Sequence, residues 1–508
     1  MGEPYTIGVD VGTQGTKAAL FSQAGECLST AFCGSQLHRP GPGIVEEDPR
    51  RQVLSICRTI RQCVQQARVA AHGVAAIGIA GQMAGVIGVG SDGRNVTPYD
   101  SWLDTRCGPY IARMTEIAGD EVLQKTGCFP SFNHGPKILW WMHQRKAAFR
   151  SIRAFVQPGG YAAMRLCGLD ASRAFIDKTY LHFSGFADNR RGQWDASLVR
   201  RFTLDEAKLP RIVDPHEIVG ELLPSMARRC GLRGGVPVVA GCGDTAASFL
   251  SCGATREGVC VDVAGTASVF AATTGSFRPD VRYKTLGCGQ AATAGLWHPY
   301  AYINGGGMNV EWFLRELVGA GGLQVRRRRD LARLERLAEA IRPDEAGPMF
   351  VPHMEGRVCP SQPLLRGAWV NLSWRHGLGH LYRAVLEGVA LEYGIYRDVL
   401  AVLYPSLKLR EVRITGGGAN SALWNRIKAA VLGAAVVRIA GDAGAPMGAA
   451  MLAGYGVGLF KSLDAAAAGW IRKGRTFRPE KEMIARYRGE VARYRRLLDS
   501  LNTFAAGD

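Results

Sequence analysis

The 508-residue chain lacks the marks of several protein classes. It has no GxxxxGKS or GxxxxGKT segment, so it is not a P-loop enzyme. Its 13 cysteines include no CxxC pair, and no histidine cluster has zinc spacing. Cysteines dispersed in this way are small buried hydrophobes in a reduced cytosol, so a cytoplasmic protein is expected. There is no low-complexity linker or disordered tail. The longest apolar stretch, residues 73–90, is glycine-rich and broken by Gln82, and reads as buried strands rather than a membrane helix. The chain enters a strand at Tyr5, so no signal peptide is expected. Met1-Gly2 followed by Thr6 matches the bare myristoylation pattern, which is discounted because Thr6 falls in that strand.

What is present is an ordinary globular balance, 47% hydrophobic and 21% charged, over a length that calls for two or three domains. The net charge of +18 suits anionic ligands. The one basic run, Arg326 to Arg329, opens a segment with Leu331, Leu334, Leu337 and Ile341 on one helical face, which reads as a surface helix. No aromatics interleave with the arginines, so no nucleic-acid partner is expected, and no membrane either.

The chain says a similar thing twice. Ile7-Gly8-Val9-Asp10-Val11-Gly12-Thr13-Gln14-Gly15-Thr16-Lys17 and Val261-Asp262-Val263-Ala264-Gly265-Thr266-Ala267-Ser268 each run from an apolar strand through a Gly-Thr turn into another strand. Half a chain separates them, which points to a duplicated domain. Helical stretches at residues 49–68 and 380–396 alternate with strands at 74–80, 236–240 and 411–415, an α/β pattern. The boundary falls near residues 249–256, giving domains 1–250 and 251–508. Residues 480–501 form a helix that packs on its own domain.

Several loops could carry chemistry. Gly88 to Gly93 matches GxGxxG but leads into Asn95 and Pro98 rather than a helix, so it is a turn. Gly241-Cys242-Gly243-Asp244-Thr245-Ala246 follows a strand and opens a helix, with Asp262 about twenty residues on, the spacing of a dinucleotide-binding unit. A nicotinamide-dependent oxidoreductase is therefore the runner-up, opposed by Asp244, whose carboxylate would stand where a pyrophosphate must sit. Asp244 could equally cap the helix. Asp10 beside the Gly12-Thr13 turn suits magnesium and phosphate together. Gly416-Gly417-Gly418-Ala419-Asn420 and Gly305-Gly306-Gly307 lie between strand and helix, where a flat ligand can approach the backbone.

In this order the motifs resemble the FGGY carbohydrate kinases of the actin-like superfamily, over residues 5 to 460. Gly81-Gln82-Met83 resembles the sugar-binding segment of the xylulokinase group, and Trp102-Leu103-Asp104-Thr105-Arg106 its Trp-x-Asp-x-Arg element. Pro136-Lys137-Ile138-Leu139-Trp140, residues 367–387 and Pro446-Met447-Gly448-Ala449-Ala450 resemble later signatures. Three positions depart: Ala84 stands where xylulokinases have His, Asn371 where Gly is usual, and Ala430 where Asp is frequent.

The resemblance implies two ribonuclease-H-like domains around a cleft and transfer of the γ-phosphoryl of ATP to a sugar hydroxyl. It makes Asp244 the catalytic base and Asp10 the holder of Mg2+. The ATP site would comprise Gly12, Thr13, Gln14, Lys17, Gly265, Thr266, Gly307, Gly417, Gly418 and Asn420. The sugar would meet Gln82, Met83, Ala84, Trp102, Asp104, Arg106 and Asp244. Lys17 could instead be a surface lysine, Trp102 a core residue, and Arg106 a partner of Asp104. D-xylulose is the first choice of substrate, with ribulose, a tetritol or another polyol open because of Ala84. Homodimers are common in that family, and the oligomeric state is open here. The third reading is an actin-like nucleotide-binding protein without a reaction, which Asp244 and the Gln-Met segment oppose.

Overall fold

The computed structural model describes residues 3–320, 324–341, 347–441 and 444–507. Its first sheet is built from β1 (Tyr5–Gly12), β2 (Gly15–Phe21), β3 (Cys27–Gly34), β4 (Val74–Gly81), β5 (Ile218–Glu221), β6 (Pro237–Val239) and β7 (Cys242–Gly243). The order is β5-β6-β4-β1-β2-β3, with β7 also paired to β4. The second sheet holds β8 (Val259–Ala264), β9 (Ser268–Ala272), β10 (Gly287–Gln290), β11 (Trp297–Ile303), β12 (Glu411–Thr415), β13 (Val436–Ala440) and β14 (Arg472–Phe477), in the order β10-β11-β9-β8-β12-β13-β14.

Six strands of each sheet correspond in order and direction. Three antiparallel strands (β3-β2-β1 and β11-β9-β8) are followed by two parallel ones (β4-β6 and β12-β13) and a last antiparallel edge (β5 and β14). This is the ribonuclease-H-like arrangement occurring twice, as the repeated hairpin predicts.

Each sheet is covered on one face by its own helices. In the first, α1 (Pro49–Ala67) and α2 (Pro158–Cys167) close a core on Ile7, Val9, Val11, Ile77 and Ile79. The opposite face carries the alternate residues, Gly8, Ala76, Gly78 and Ala80, all small. Strand alternation therefore gives β1 and β4 one bulky and one flat side.

Between the two sheets lie α3 (Asp244–Ser251), which follows the first sheet, and a helix from the second half of the chain. The second half contributes in turn α4 (Gly306–Phe313), α5 (Arg327–Glu339), α6 (Leu378–Leu403), α7 (Ala422–Leu432), α8 (Ala445–Gly456) and α9 (Lys481–Ala506). Helix α8 packs on the flat side of the first sheet. A Cβ on Gly8 would come within 1.7 Å of Pro446 O, one on Gly78 within 2.0 Å of Ala449 O, and one on Gly448 within 2.1 Å of Ala247 O. Glycine stands at these strand and helix positions because backbone meets backbone there. Phe249 of α3 in turn packs with Val261, Ala271 and Ile439 of the second half. The halves are thus joined by helices that cross over, α3 packing on the second half and α8 on the first sheet.

Helices α6, α7 and α9 close the second core. The helix predicted from residue 380 extends from Leu378 to Leu403. In α9, Tyr487, Val491, Tyr494 and Leu498 are buried, and the arginine-rich α5 lies on the surface, with Leu334 inward and Arg327 paired to Glu311. Asn371 has φ +65, a left-handed conformation that explains why glycine suits this position and asparagine is tolerated. Ala430 is buried in the second core. Among the described residues, all cysteines are free and no helix is long and apolar enough to cross a membrane. Thr6 is buried in β1, and Gly2 lies outside the described residues.

Candidate active site

Asp10 lies on the flat side of β1, two residues beyond Gly8. The parallel register sets it level with Ala80 of β4, and Ala80 level with Cys242 of β7. The chain then turns at Gly243 into α3, whose first residue is Asp244. The two aspartates therefore flank the carboxyl end of β4, the edge of a parallel sheet where ligands bind.

Their electrostatics differ from those of surface carboxylates. Burial raises Asp10 to about 8, reinforced by the charge of Asp244 and opposed by Lys17, its cross-strand neighbour. Burial raises Asp244 to about 6, against hydrogen bonds from Thr245. Thr245 donates its N–H (2.6 Å) and its hydroxyl (3.1 Å) to one oxygen of Asp244. Gly243, not Asp244, is the N-cap of α3. The turn carrying Asp244 is fixed from below, because Gly243 N–H donates to Thr179 Oγ1 (3.0 Å) and the Tyr180 hydroxyl donates to Gly81 O (2.8 Å). Oδ1 of Asp10 is buried without a hydrogen-bond partner. An orphaned carboxylate oxygen at a phosphate-sized turn fits a hard cation such as Mg2+.

The first hairpin closes with Gly12 opposite Gly15, leaving Thr13 and Gln14 at its tip. Ser35 braces the tip: its hydroxyl donates to Thr13 O (2.6 Å) and its N–H to Gln14 O (3.0 Å). In the second sheet, β8 and β9 close with Ala264 opposite Ser268, placing Gly265 and Thr266 at the turn. Gly307 N–H donates to Gly265 O (2.9 Å) and Met308 N–H to Thr266 O (3.1 Å), seating the start of α4 on this turn. Gly416, at φ +84, would bring a Cβ within 2.7 Å of Ala264 O, and Gly418 within 2.8 Å of Ala264 Cβ. A Cβ on Gly417 would meet open space, and Asn420 is exposed. Three glycine loops distant in sequence thus share one wall.

The residues expected at the sugar divide into two groups. Met83 packs against Gly243, next to Asp244, and Ala84 holds φ +60, a conformation unfavourable for a residue with a Cβ. Trp102 is 44% exposed, and its indole N–H donates to Thr13 Oγ1 (2.7 Å), so it is no core residue. Gln82, Asp104 and Arg106 are placed otherwise. Gln82 is fully buried with both ends of its amide engaged, by Thr13 and by Glu47. Asp104 is fully buried and accepts from Val45 N–H (2.7 Å) and from Arg106 (Nε, 2.9 Å; Nη2, 2.6 Å). Arg106 also pairs with Glu46 (2.6 Å) and lies over the Trp140 ring at 4.9 Å. These three side chains are already engaged with protein groups, Gln82 with Thr13 and Glu47, and Asp104 and Arg106 with each other.

Glu47 and Lys137 were not identified in such contacts from sequence. Lys137 is buried and donates to Ser101 O and Asp104 O (both 2.9 Å), holding the loop that bears Trp102. Glu47 directly precedes the Asp48-Pro49 start of α1, and the adjacent pair Glu46-Glu47 was the available signal.

The dinucleotide reading fails on Asp262. It is fully buried, accepts from Lys428 Nζ (2.5 Å) and the Tyr393 hydroxyl (2.8 Å), and cannot reach a ribose. Gly88 and Val89 end a short strand (Ile87–Val89), and residues 90–93 form a turn, with Gly93 at φ +71 and its N–H donating to Gly90 O (2.9 Å).

Comparison with known proteins agrees with this geometry. The family model for the FGGY family of carbohydrate kinases, N-terminal domain, matches residues 5–251, and that for the C-terminal domain matches residues 260–457. Xylulose kinase of Bacillus subtilis is 25% identical over 95% of this chain and 94% of its own length. Glycerol kinase of Ralstonia nicotianae is 30% identical over 94% of both. The crystal structure of xylulose kinase from Rhodospirillum rubrum superposes with a TM-score of 0.89 at 25% identity, covering 99% of this chain and 100% of that one. The chain belongs to the FGGY family of carbohydrate kinases, which use ATP to phosphorylate sugars.

Proposed function

We propose that this kinase transfers the γ-phosphoryl group of ATP to a hydroxyl of D-xylulose in the cytoplasm. One observation carries the chemistry. Asp244, raised to about 6, sits at the strand end beside Asp10. A carboxylate with that affinity is ionised at neutral pH yet accepts a proton more readily than an ordinary aspartate. Asp244 takes the proton of the attacking hydroxyl through the oxygen that Thr245 leaves free. Positioning and charge neutralisation supply most of the remaining catalysis.

Asp10 would hold Mg2+, which when bound neutralises charge on the transferring phosphates. Gly12, Thr13, Gln14 and Lys17 face those phosphates from one side, Gly265 and Thr266 from the other. Gly307, Gly417, Gly418 and Asn420 line the adenosine side. The sugar lies between the exposed face of Trp102 and the Met83-Ala84 backbone. The xylulose kinases among the relatives support D-xylulose as the acceptor, and the 13 free cysteines support a reducing compartment.

The test is ADP release with ATP and Mg2+ across ketoses, aldoses and polyols. D-xylulose should raise the rate far above the sugar-free background. A maximal response to ribulose or a tetritol instead would overturn the assignment of the sugar.

A further inference from the structure

A chain of side chains runs from the cleft surface into the first core. The Trp102 indole donates to Thr13 Oγ1 (2.7 Å), and the Thr13 hydroxyl donates to Gln82 Oε1 (3.1 Å). Gln82 Nε2 donates to Glu47 Oε1 (2.9 Å), and Gln52 Nε2 donates to Glu47 Oε2 (3.2 Å). An indole can only donate and a hydroxyl has one proton, so the sense of the chain is fixed and Glu47 is its terminal acceptor. Gln82 and Glu47 are buried, where a hydrogen bond to a carboxylate is strong and its loss costly.

A cavity of about 310 Å³ runs along the Thr13 hairpin, bordered by Gly12, Thr16, Gly34, Glu47 and Gln52. Ser35 holds the main chain of the tip, but the Thr13 side chain is held by Trp102 and Gln82. One end of the chain is the half-exposed ring proposed to meet the sugar. The middle is the turn proposed to meet phosphate.

Resting on the function proposed above, we infer that Glu47 is a positioning residue: through Gln82 it holds the Thr13 hydroxyl between the sugar platform Trp102 and the phosphates, so that ATP turnover depends on sugar. Sugar on the Trp102 ring restrains its N–H, the N–H restrains Thr13, and Glu47 keeps Gln82 oriented to receive the Thr13 proton. Without Glu47 the Gln82 amide is free to turn, and the sugar and phosphate sites lose their common reference.

The experiment measures ADP release with and without D-xylulose in the wild type, Glu47→Ala, Glu47→Gln and Trp102→Phe. In Glu47→Ala the ratio of sugar-stimulated to sugar-free turnover should fall about tenfold, the worth of one hydrogen bond to a charged group, with KM for the sugar changed far less, and in Trp102→Phe, which loses a hydrogen bond to a neutral hydroxyl, it should fall about fivefold. Glu47→Gln keeps an acceptor for Gln82 and should recover part of the ratio. A merely structural role would lower stability and both rates together and leave the ratio unmoved. Ratios within threefold of wild type in both Glu47→Ala and Trp102→Phe overturn the inference. If Glu47→Ala does not fold, Trp102→Phe and Glu47→Gln decide it. A wild type without sugar-dependent turnover would instead overturn the proposed function on which the inference rests.

Discussion

Asp244 and Asp10 flank the end of one strand, and the charge on Asp244 raises the proton affinity of Asp10. In the proposed function the pair divides two tasks between chemically identical groups. Asp244 is tied to Thr245 and held ready to accept a proton, while Asp10 keeps a buried oxygen without a partner.

The pH profile follows from Asp244. Its affinity is raised from the ordinary carboxylate value to about 6, and the base must be ionised to act. At saturating Mg2+, which would keep Asp10 ionised, activity should be level above this value and fall about tenfold per unit as pH drops below it. A profile of kcat/KM for D-xylulose that stays flat down to pH 4.5 would contradict the assignment.

Asp10→Asn removes the carboxylate that a bound cation would hold ionised, and leaves the strand intact. The Mg2+ needed for half-maximal rate should rise about 10- to 100-fold, as for groups that orient a metal and its waters. A chelator should abolish turnover, and excess Mg2+ restore it. An unchanged Mg2+ titration in the variant would place the cation elsewhere.

The close approach of α8 to the first sheet makes a contrast between glycines. Gly8→Ala and Gly448→Ala would drive a methyl into backbone at 1.7 and 2.1 Å and should cost about 3 kcal/mol or prevent folding. Gly417→Ala meets nothing and should leave the melting temperature unchanged while weakening ATP binding. Thermal unfolding with and without ATP reads both effects.

Asp262 and Lys428 form a buried ion pair behind the glycine wall, with Lys428 also over the Trp424 ring at 4.2 Å. Asp262→Asn leaves the ammonium buried and should cost about 3–5 kcal/mol, whereas Asp262→Leu with Lys428→Met should recover most of it. Denaturant titration of the three proteins checks the difference.

The parts of the site that were legible in sequence are those set by local chemistry. The Gly-Thr hairpins, the strand–glycine–helix units and the Asp244 turn each declare themselves within a few residues. The crossing of α3 and α8 was not legible, because Gly8, Gly78 and Gly448 look like weak strand and helix formers until their partners, hundreds of residues away, are in place. That Gln82, Asp104 and Arg106 belong to one polar region is legible in sequence; which protein groups they bond is not. A polar side chain at a site announces that it makes hydrogen bonds, but whether they go to a ligand or to Glu47 and Val45 depends on long-range packing. Ala84 gave its identity in sequence and its left-handed backbone only in the fold.

The most direct test of the central claim is 31P NMR of ATP, Mg2+ and D-xylulose with the wild type and with Asp244→Asn. The wild type should convert the γ-phosphate resonance of ATP into that of a sugar phosphate. Asp244→Asn should be slower by about 10³-fold with its fold retained. Inorganic phosphate as the wild-type product, or sugar phosphate formed at an undiminished rate by the variant, would contradict the account.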